Sequence, residues 1–317
     1  MRAFILALAA ATIMLQPAKA QEATVAVTAI VEHPALDAVR DGIKEKLAEA
    51  GYKEGENLTF LYESAQGNPG TAAQIARQFV GEEPTVIVPI STPSAQAVVS
   101  ATRDIPVVFT AVSDPVGGQL VKDMKAPGGN VTGISDMSPV ADHVALIKEI
   151  TPEAKSIGFI YNTAEANSVS TLAALKEEAA KAGLEVIESV ATKSAEVQGA
   201  ARALVGRADV IYIPTDNTIV SAFEAAVGVA EEAKLPLYAG DTDSVARGAV
   251  AALGFNYFDV GNQTGEVVVR VLKGEAPGDI PVSVATGTDL LINKSAAEKM
   301  GVTFPESVLS RATRVVE

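Results

Sequence analysis

Residues 85–101, TVIVPISTPSAQAVVSA, decide how the rest of the chain is read. The first half, residues 86–90, is a short apolar run without polar alternation, the pattern of a strand buried on both faces. Ser91-Thr92-Pro93-Ser94 interrupts it, and an Ala/Val-rich helical pattern follows. Thr92 suits an N-cap and Pro93 the first helical position. The N–H groups of Ser94 and Ala95 then stand at the positive end of a helix dipole, among several hydroxyls. Such a turn at the carboxyl end of a buried strand can hold an anion, for example a carboxylate. The same residues also fit an ordinary helix cap.

Outward from this stretch the same alternation repeats. Before it come strand 24–30, a helix over 35–50 with Leu36, Val39, Ile43 and Leu47 on one face, strand 58–62 and helix 71–80. After it come strands 107–110 and 131–134. A second series begins near residue 136: helix 139–150, strand 156–161, helix 169–182, strand 185–190, helix 195–205 and strand 210–214. A helix with Ile219, Phe223, Val227 and Ala230 on one face follows. Strands 237–239 and 249–253 and helix 260–272 complete the series. The tail holds one strand, 289–292, and one small helix, 295–300, too little for a third domain. Alternating βα units form parallel sheets covered by helices. Two such series imply an α/β protein of two doubly wound lobes.

Ligands of doubly wound sheets sit beyond the carboxyl ends of the strands. Those ends are polar here: Glu32-His33, Ser91-Thr92, Ser113-Asp114, the loop 162–168, Thr215-Asp216-Asn217 and Asp241-Thr242-Asp243. The candidate ligand-binding residues are therefore His33, Ser91, Thr92, Ser94, Ser113, Asp114, Asn162, Asn167, Asp216, Asn217 and Asp241. Ser113-Asp114-Pro115 also fits a plain turn, and Asp216 an N-cap before Ile219. His143 lies inside a helical pattern and is read as a surface residue. Asp241 and Asp243 lack the Gly and Glu that complete a calcium loop, so no metal or other cofactor is expected.

Residues 1–20 have the form of a secretory signal peptide: Arg2, an apolar run over 3–15, and Ala18-Lys19-Ala20 as a small-x-small cleavage site. Cleavage would remove two cations and no acid, taking the net charge from −14 to −16. Such a surface repels nucleic acid and anionic lipid. The chain has no cysteine, hence no disulfide and no thiol for lipid attachment. These features predict a periplasmic monomer without lipid anchor or membrane insertion.

The segments His33-Pro34-Ala35-Leu36-Asp37, PISTPS at 89–94, FTAVSDP at 109–115, GNVTGIS at 129–135, YFDVGNQTG at 257–265 and LLINKSAAEKMG at 290–301, with PESVLSRATRVVE at 305–317, stand in an order that resembles the periplasmic substrate-binding proteins of ABC importers. The resemblance is to the type I, leucine-binding-protein-like architecture and, more narrowly, to its tryptophan/tyrosine-type subfamily. It implies lobes made of 21–136 plus about 256–282, and of 137–255 plus about 283–317. Three crossovers join them, near 135–139, 254–257 and 281–288. It further implies an amino acid or similar small solute in the interlobe cleft and an inner-membrane ABC permease as partner. The carboxylate would fall to Ser91, Thr92 and Ser113, and the ammonium to Asp216 or Asp241. A ligand-sensing subunit for a membrane receptor fits the same features. An enzyme of hydrolase type on this fold is the rival from another class. Against it stand the absence of cysteine, only two histidines, and no GxSxG or GxGxxG motif.

Overall fold

The computed structural model describes residues 22–317; the expected signal peptide lies outside them. In chain order the first part runs β1 (Ala23–Ala29), α1 (Pro34–Glu49), β2 (Leu58–Ser64), α2 (Pro69–Glu82), β3 (Val86–Ile90), α3 (Thr92–Ala101), β4 (Val107–Val112) and β5 (Val131–Ser135). The second runs α4 (Val140–Ile150), β6 (Ser156–Tyr161), α5 (Ala166–Lys181), β7 (Glu185–Val190), α6 (Val197–Arg202), β8 (Val210–Ile213), α7 (Asn217–Val220), α8 (Phe223–Ala233), β9 (Leu237–Ala239), α9 (Asp243–Ala246) and β10 (Ala251–Phe255). The remainder is α10 (Tyr257–Leu272), β11 (Ser283–Val284), β12 (Thr288–Asn293), α11 (Lys294–Lys299), α12 (Glu306–Arg311) and β13 (Arg314–Val316).

Two sheets result, ordered β11-β5-β4-β3-β1-β2 and β13-β12-β10-β9-β8-β6-β7. Leaving aside the added edge strands, both follow the doubly wound order 2-1-3-4-5, with the switch between β1 and β3 in one lobe and between β6 and β8 in the other. All pairings are parallel except β10 with β12. Every residue of β3, β4, β5, β6 and β8 is buried, as helices on both faces require. Two separate apolar cores follow the two sheets. No helix among the described residues is long and apolar enough to cross a membrane.

The chain passes between the sheets after β5, between β10 and α10, and after β11. Strand β11 pairs with β5, and the Ala285 N–H donates to the Ser135 carbonyl, so the last passage falls within the stretch 281–288. Helix α10 packs on α1 of the first lobe. A Cβ added to Gly261 would lie 2.2 Å from the Val39 carbonyl oxygen, and one on Gly42 2.2 Å from that of Phe258. Only glycine permits this approach of one helix to the other.

Several elements differ from the sequence reading. Helix α3 starts at Thr92, one residue early, so Ser91 rather than Thr92 flanks it. Helix α5 starts at Ala166 and takes Asn167 and Ser168 out of the expected loop. Strand β10 is displaced by two residues, and α12 and β13 were not expected. His143 is not on the surface: it is 3% exposed. Its Nδ1 lies 2.7 Å from the Tyr212 hydroxyl and its Nε2 2.6 Å from the Leu253 carbonyl oxygen. The carbonyl can only accept, so Nε2 carries the proton and Nδ1 accepts from Tyr212. Burial holds the His143 pKa down to about 4.

Two outcomes follow. Gly261→Val should destabilise the first lobe by about 2 kcal/mol or more through overpacking, read as a lower urea midpoint. The neutral His143 favours the fold fully above its unfolded pKa of about 6.5, and that contribution is lost as pH falls towards 4. His143→Gln should therefore show a shallower loss of stability between pH 6.5 and 4.5 than the parent. Parallel curves would contradict this role.

Candidate functional site

The carboxyl ends of the two sheets face each other across a narrow cavity of about 20 Å³, so the walls must part to admit a ligand of several heavy atoms. The first lobe contributes His33, Ala35, Leu36, Ala111 and Ser113. The second contributes Asn167, Thr215, Asn217, Val220 and Asp241. Asp136 and Tyr257 enter from the chain passages themselves. Of the candidates named from sequence, His33, Ser113, Asn167, Asn217 and Asp241 lie on this wall. Ser91, Thr92, Ser94, Asp114, Asn162 and Asp216 do not.

Two carboxylates form an acidic pole. Asp136 directly follows β5; its Oδ1 accepts from the Ser113 hydroxyl at 3.1 Å and its Oδ2 from the Tyr257 hydroxyl at 2.7 Å. Asp241 follows β9 and accepts from the Ser244 N–H at 2.8 Å and the Ser244 hydroxyl at 2.7 Å. Burial pushes both carboxyl groups above their ordinary range, and burial with the neighbouring Asp136 pushes the Tyr257 phenol well up. Among the described residues neither acid takes part in a salt bridge. A cation placed between them would offset the cost of their burial.

The turn after β3 is the second feature. Ser91, Thr92 and Ser94 are at most 2% exposed, and none of their hydroxyls has a hydrogen-bond partner. Ser91 stands at φ +80°, ψ 157°, a region nearly reserved for glycine. The Ser91 N–H donates to the Thr110 carbonyl. The next residue, Ala111, is also left-handed at φ +51° and reaches the cavity wall. The two strand ends therefore twist together, and the unpaired hydroxyls stand one strand behind the wall at the amino end of α3.

In the second lobe a buried network sets the wall. Asp216 is an N-cap: Oδ1 accepts from the Ile219 N–H at 3.0 Å, and Oδ2 from the Asn162 N–H and the Ser168 hydroxyl, each at 2.7 Å. Both its oxygens are engaged inside the lobe, and it does not face the cavity. Burial, then the Glu165 charge, push its pKa well up. Asn162 is likewise engaged, with Thr218 and Ala164. Glu165 accepts from the N–H groups of Asn217 and Thr218 at 3.0 and 2.9 Å and from both side chains. Asp114 lies on the rim, where Oδ2 accepts from Ser170 of the opposite lobe at 2.9 Å. His33 is neutral: burial, with Arg247 nearby, lowers its pKa to about 3.

The candidates chosen from sequence lack Asp136, Tyr257 and Thr215, although Thr215 stands in one of the polar strand ends. Asp136 carries the same signal as the residues chosen, an acid directly after an apolar strand. Tyr257 carries none, since strand-end aromatics are core residues by default. Among the described residues no group of three or more acids or histidines is arranged to hold a metal ion.

The chain belongs to the ABC transporter substrate binding protein family, whose profile matches residues 24–316. Its fold is that of type I periplasmic binding proteins. It is 41% identical over 280 residues to the tyrosine-binding protein of Clostridioides difficile, covering 88% of this chain and 81% of that one. It superposes with a TM-score of 0.90 on the ABC domain from Streptococcus pneumoniae in complex with L-Trp, at 39% identity over 93% of this chain and 100% of that one. Against the ligand-free, open structure of a substrate binding protein with adhesive properties from Clostridium difficile, the TM-score is 0.70, at 41% identity over 93% and 99% of the two chains.

Ser91→Gly should relieve the backbone strain and remove one unpaired hydroxyl. It is expected to raise the stability of the ligand-free protein by about 1 kcal/mol, read by urea unfolding; a loss of stability would contradict the strain.

Proposed function

We propose that this chain captures an aromatic L-amino acid, tyrosine or tryptophan, in the interlobe cavity and delivers it to the permease of an ABC importer. The observation that carries this reading is the cavity's division of labour. Two buried acids without a cation stand on its wall, and three buried hydroxyls without partners stand at a helix amino terminus close by. An amino acid zwitterion complements both. Its ammonium meets Asp136 and Asp241 on the wall, and the positive end of α3, one strand behind the wall, favours the carboxylate on that side. Asp216, with its bonds spent inside the lobe, has no part in this reading. Leu36, Ala35, Val220 and Tyr257 leave an apolar wall for the side chain. The names of the tyrosine-binding relative and of the L-Trp complex support an aromatic ligand.

Identity and coverage hardly differ between the two superpositions, yet the chain fits the L-Trp complex far better than the open, ligand-free structure. We read its lobes as closed, with residues 22–136 plus about 256–285 turning against the rest about the three chain passages. Ligand binding shifts the population towards this form. The protein acts as a periplasmic monomer and carries out no chemistry on its solute; among the described residues no nucleophile, base and orienting group are hydrogen-bonded in series on the cavity wall.

Titration calorimetry and thermal shift test this reading. Tyrosine or tryptophan at a thousandfold excess over its Kd should stabilise the protein by about 4 kcal/mol. Asp136→Asn and Asp241→Asn should each weaken binding by about 2 kcal/mol, roughly thirtyfold in Kd, with the fold kept. Unchanged affinity in both variants would refute the placement of the ammonium.

A further inference from the structure

The acidic pole and the hydroxyl turn account for the two charged ends of an amino acid, but two polar atoms on the cavity wall are left over. Asn167 opens α5 and is 3% exposed. Its Nδ2 donates to the Thr215 carbonyl at 2.9 Å and stands 3.3 Å from Glu165 Oε2. Both partners only accept, so the amide's orientation is fixed, with Oδ1 turned away from them. Oδ1 is buried and has no partner. Across the cavity His33, 8% exposed, likewise has a buried Nδ1 without a partner. The two residues belong to one cluster. Asn217, which neighbours His33, donates from Nδ2 to the same Glu165 Oε2 at 2.6 Å.

An amide oxygen accepts and never donates. Asp136 and Asp241 already provide for the ammonium, so Asn167 Oδ1 is available to a third group on the ligand. We infer that Asn167, with His33, selects ligands whose side chain carries an O–H or N–H donor. This rests on the aromatic amino acid reading above and narrows it. A phenol donates to Asn167 Oδ1 and accepts from the neutral His33 ring, satisfying both atoms. An indole N–H satisfies Asn167 alone. A phenylalanine, methionine or leucine side chain seals the amide oxygen in a dry cavity with nothing to bind, and sites of this kind reject such analogues strongly.

Titration of the full mature protein with L-tyrosine, O-methyl-L-tyrosine and L-phenylalanine tests the inference without any substitution. Tyrosine should bind at least about tenfold tighter than either analogue. In Asn167→Ala the tyrosine-to-phenylalanine ratio should fall towards one, because tyrosine loses its partner and phenylalanine does not. His33→Phe keeps the ring volume and should lower the same ratio by a smaller factor. A purely structural role would weaken all three ligands alike and leave the ratio unchanged. Equal binding of tyrosine and phenylalanine by the parent, or equal weakening of both in Asn167→Ala, overturns the inference while the amino acid reading stands. If none of the three binds and a solute of another class raises the Tm, the amino acid reading fails and takes this inference with it.

Discussion

Helix α10 rests on α1 with backbone against backbone, and much of the architecture depends on that contact. The chain has by then built most of its second lobe and must return to the first. Gly42 and Gly261 let the two helices approach so closely that a methyl group on either would strike a carbonyl oxygen. Thr264 of α10 then reaches the Thr110 hydroxyl on β4 at 2.7 Å. The return brings the passage before α10 beside the one after β5. This is why Tyr257 and Asp136, 121 positions apart in sequence, meet at 2.7 Å.

The two lobes treat their buried polar groups differently. In the second, Glu165 and Asp216 gather backbone and side-chain donors until nearly everything is paired, and a saturated network of this kind is rigid. In the first, Ser91, Thr92, Ser94 and His33 keep buried atoms without partners, and Ser91 holds a strained backbone as well. Such costs persist where function requires them. One lobe thus offers a firm wall, and the other holds groups whose hydrogen bonds await a guest.

Much of the fold was readable because apolar runs of five or six residues, each closed by a polar turn, leave little choice but buried parallel strands. Val86–Ile90 and Ser156–Tyr161 fall where their sequences place them. The start of α3 was misread by one residue because Thr92 has cap chemistry, whereas Ser91 occupies the flank in a conformation that sequence does not signal. His143 was misplaced because its partners, Tyr212 and Leu253, lie 69 and 110 residues away. At the site, sequence identified polar strand ends but not which of them had already spent their bonds. Asp216 and Asp241 read alike, and each accepts from an N–H at a helix amino end; only the fold leaves one of them on the cavity wall.

The Tyr257–Asp136 bond joins two of the segments about which the lobes would rotate. Points on an axis sweep no arc. On the proposed closure this pair would keep its place while the walls on either side swing apart, and opening would change only how much water reaches it. An arriving solute would find this post already standing in the unclosed molecule. A solute that met Asp136 first would be tethered at the hinge side of the first lobe before the second folded over it.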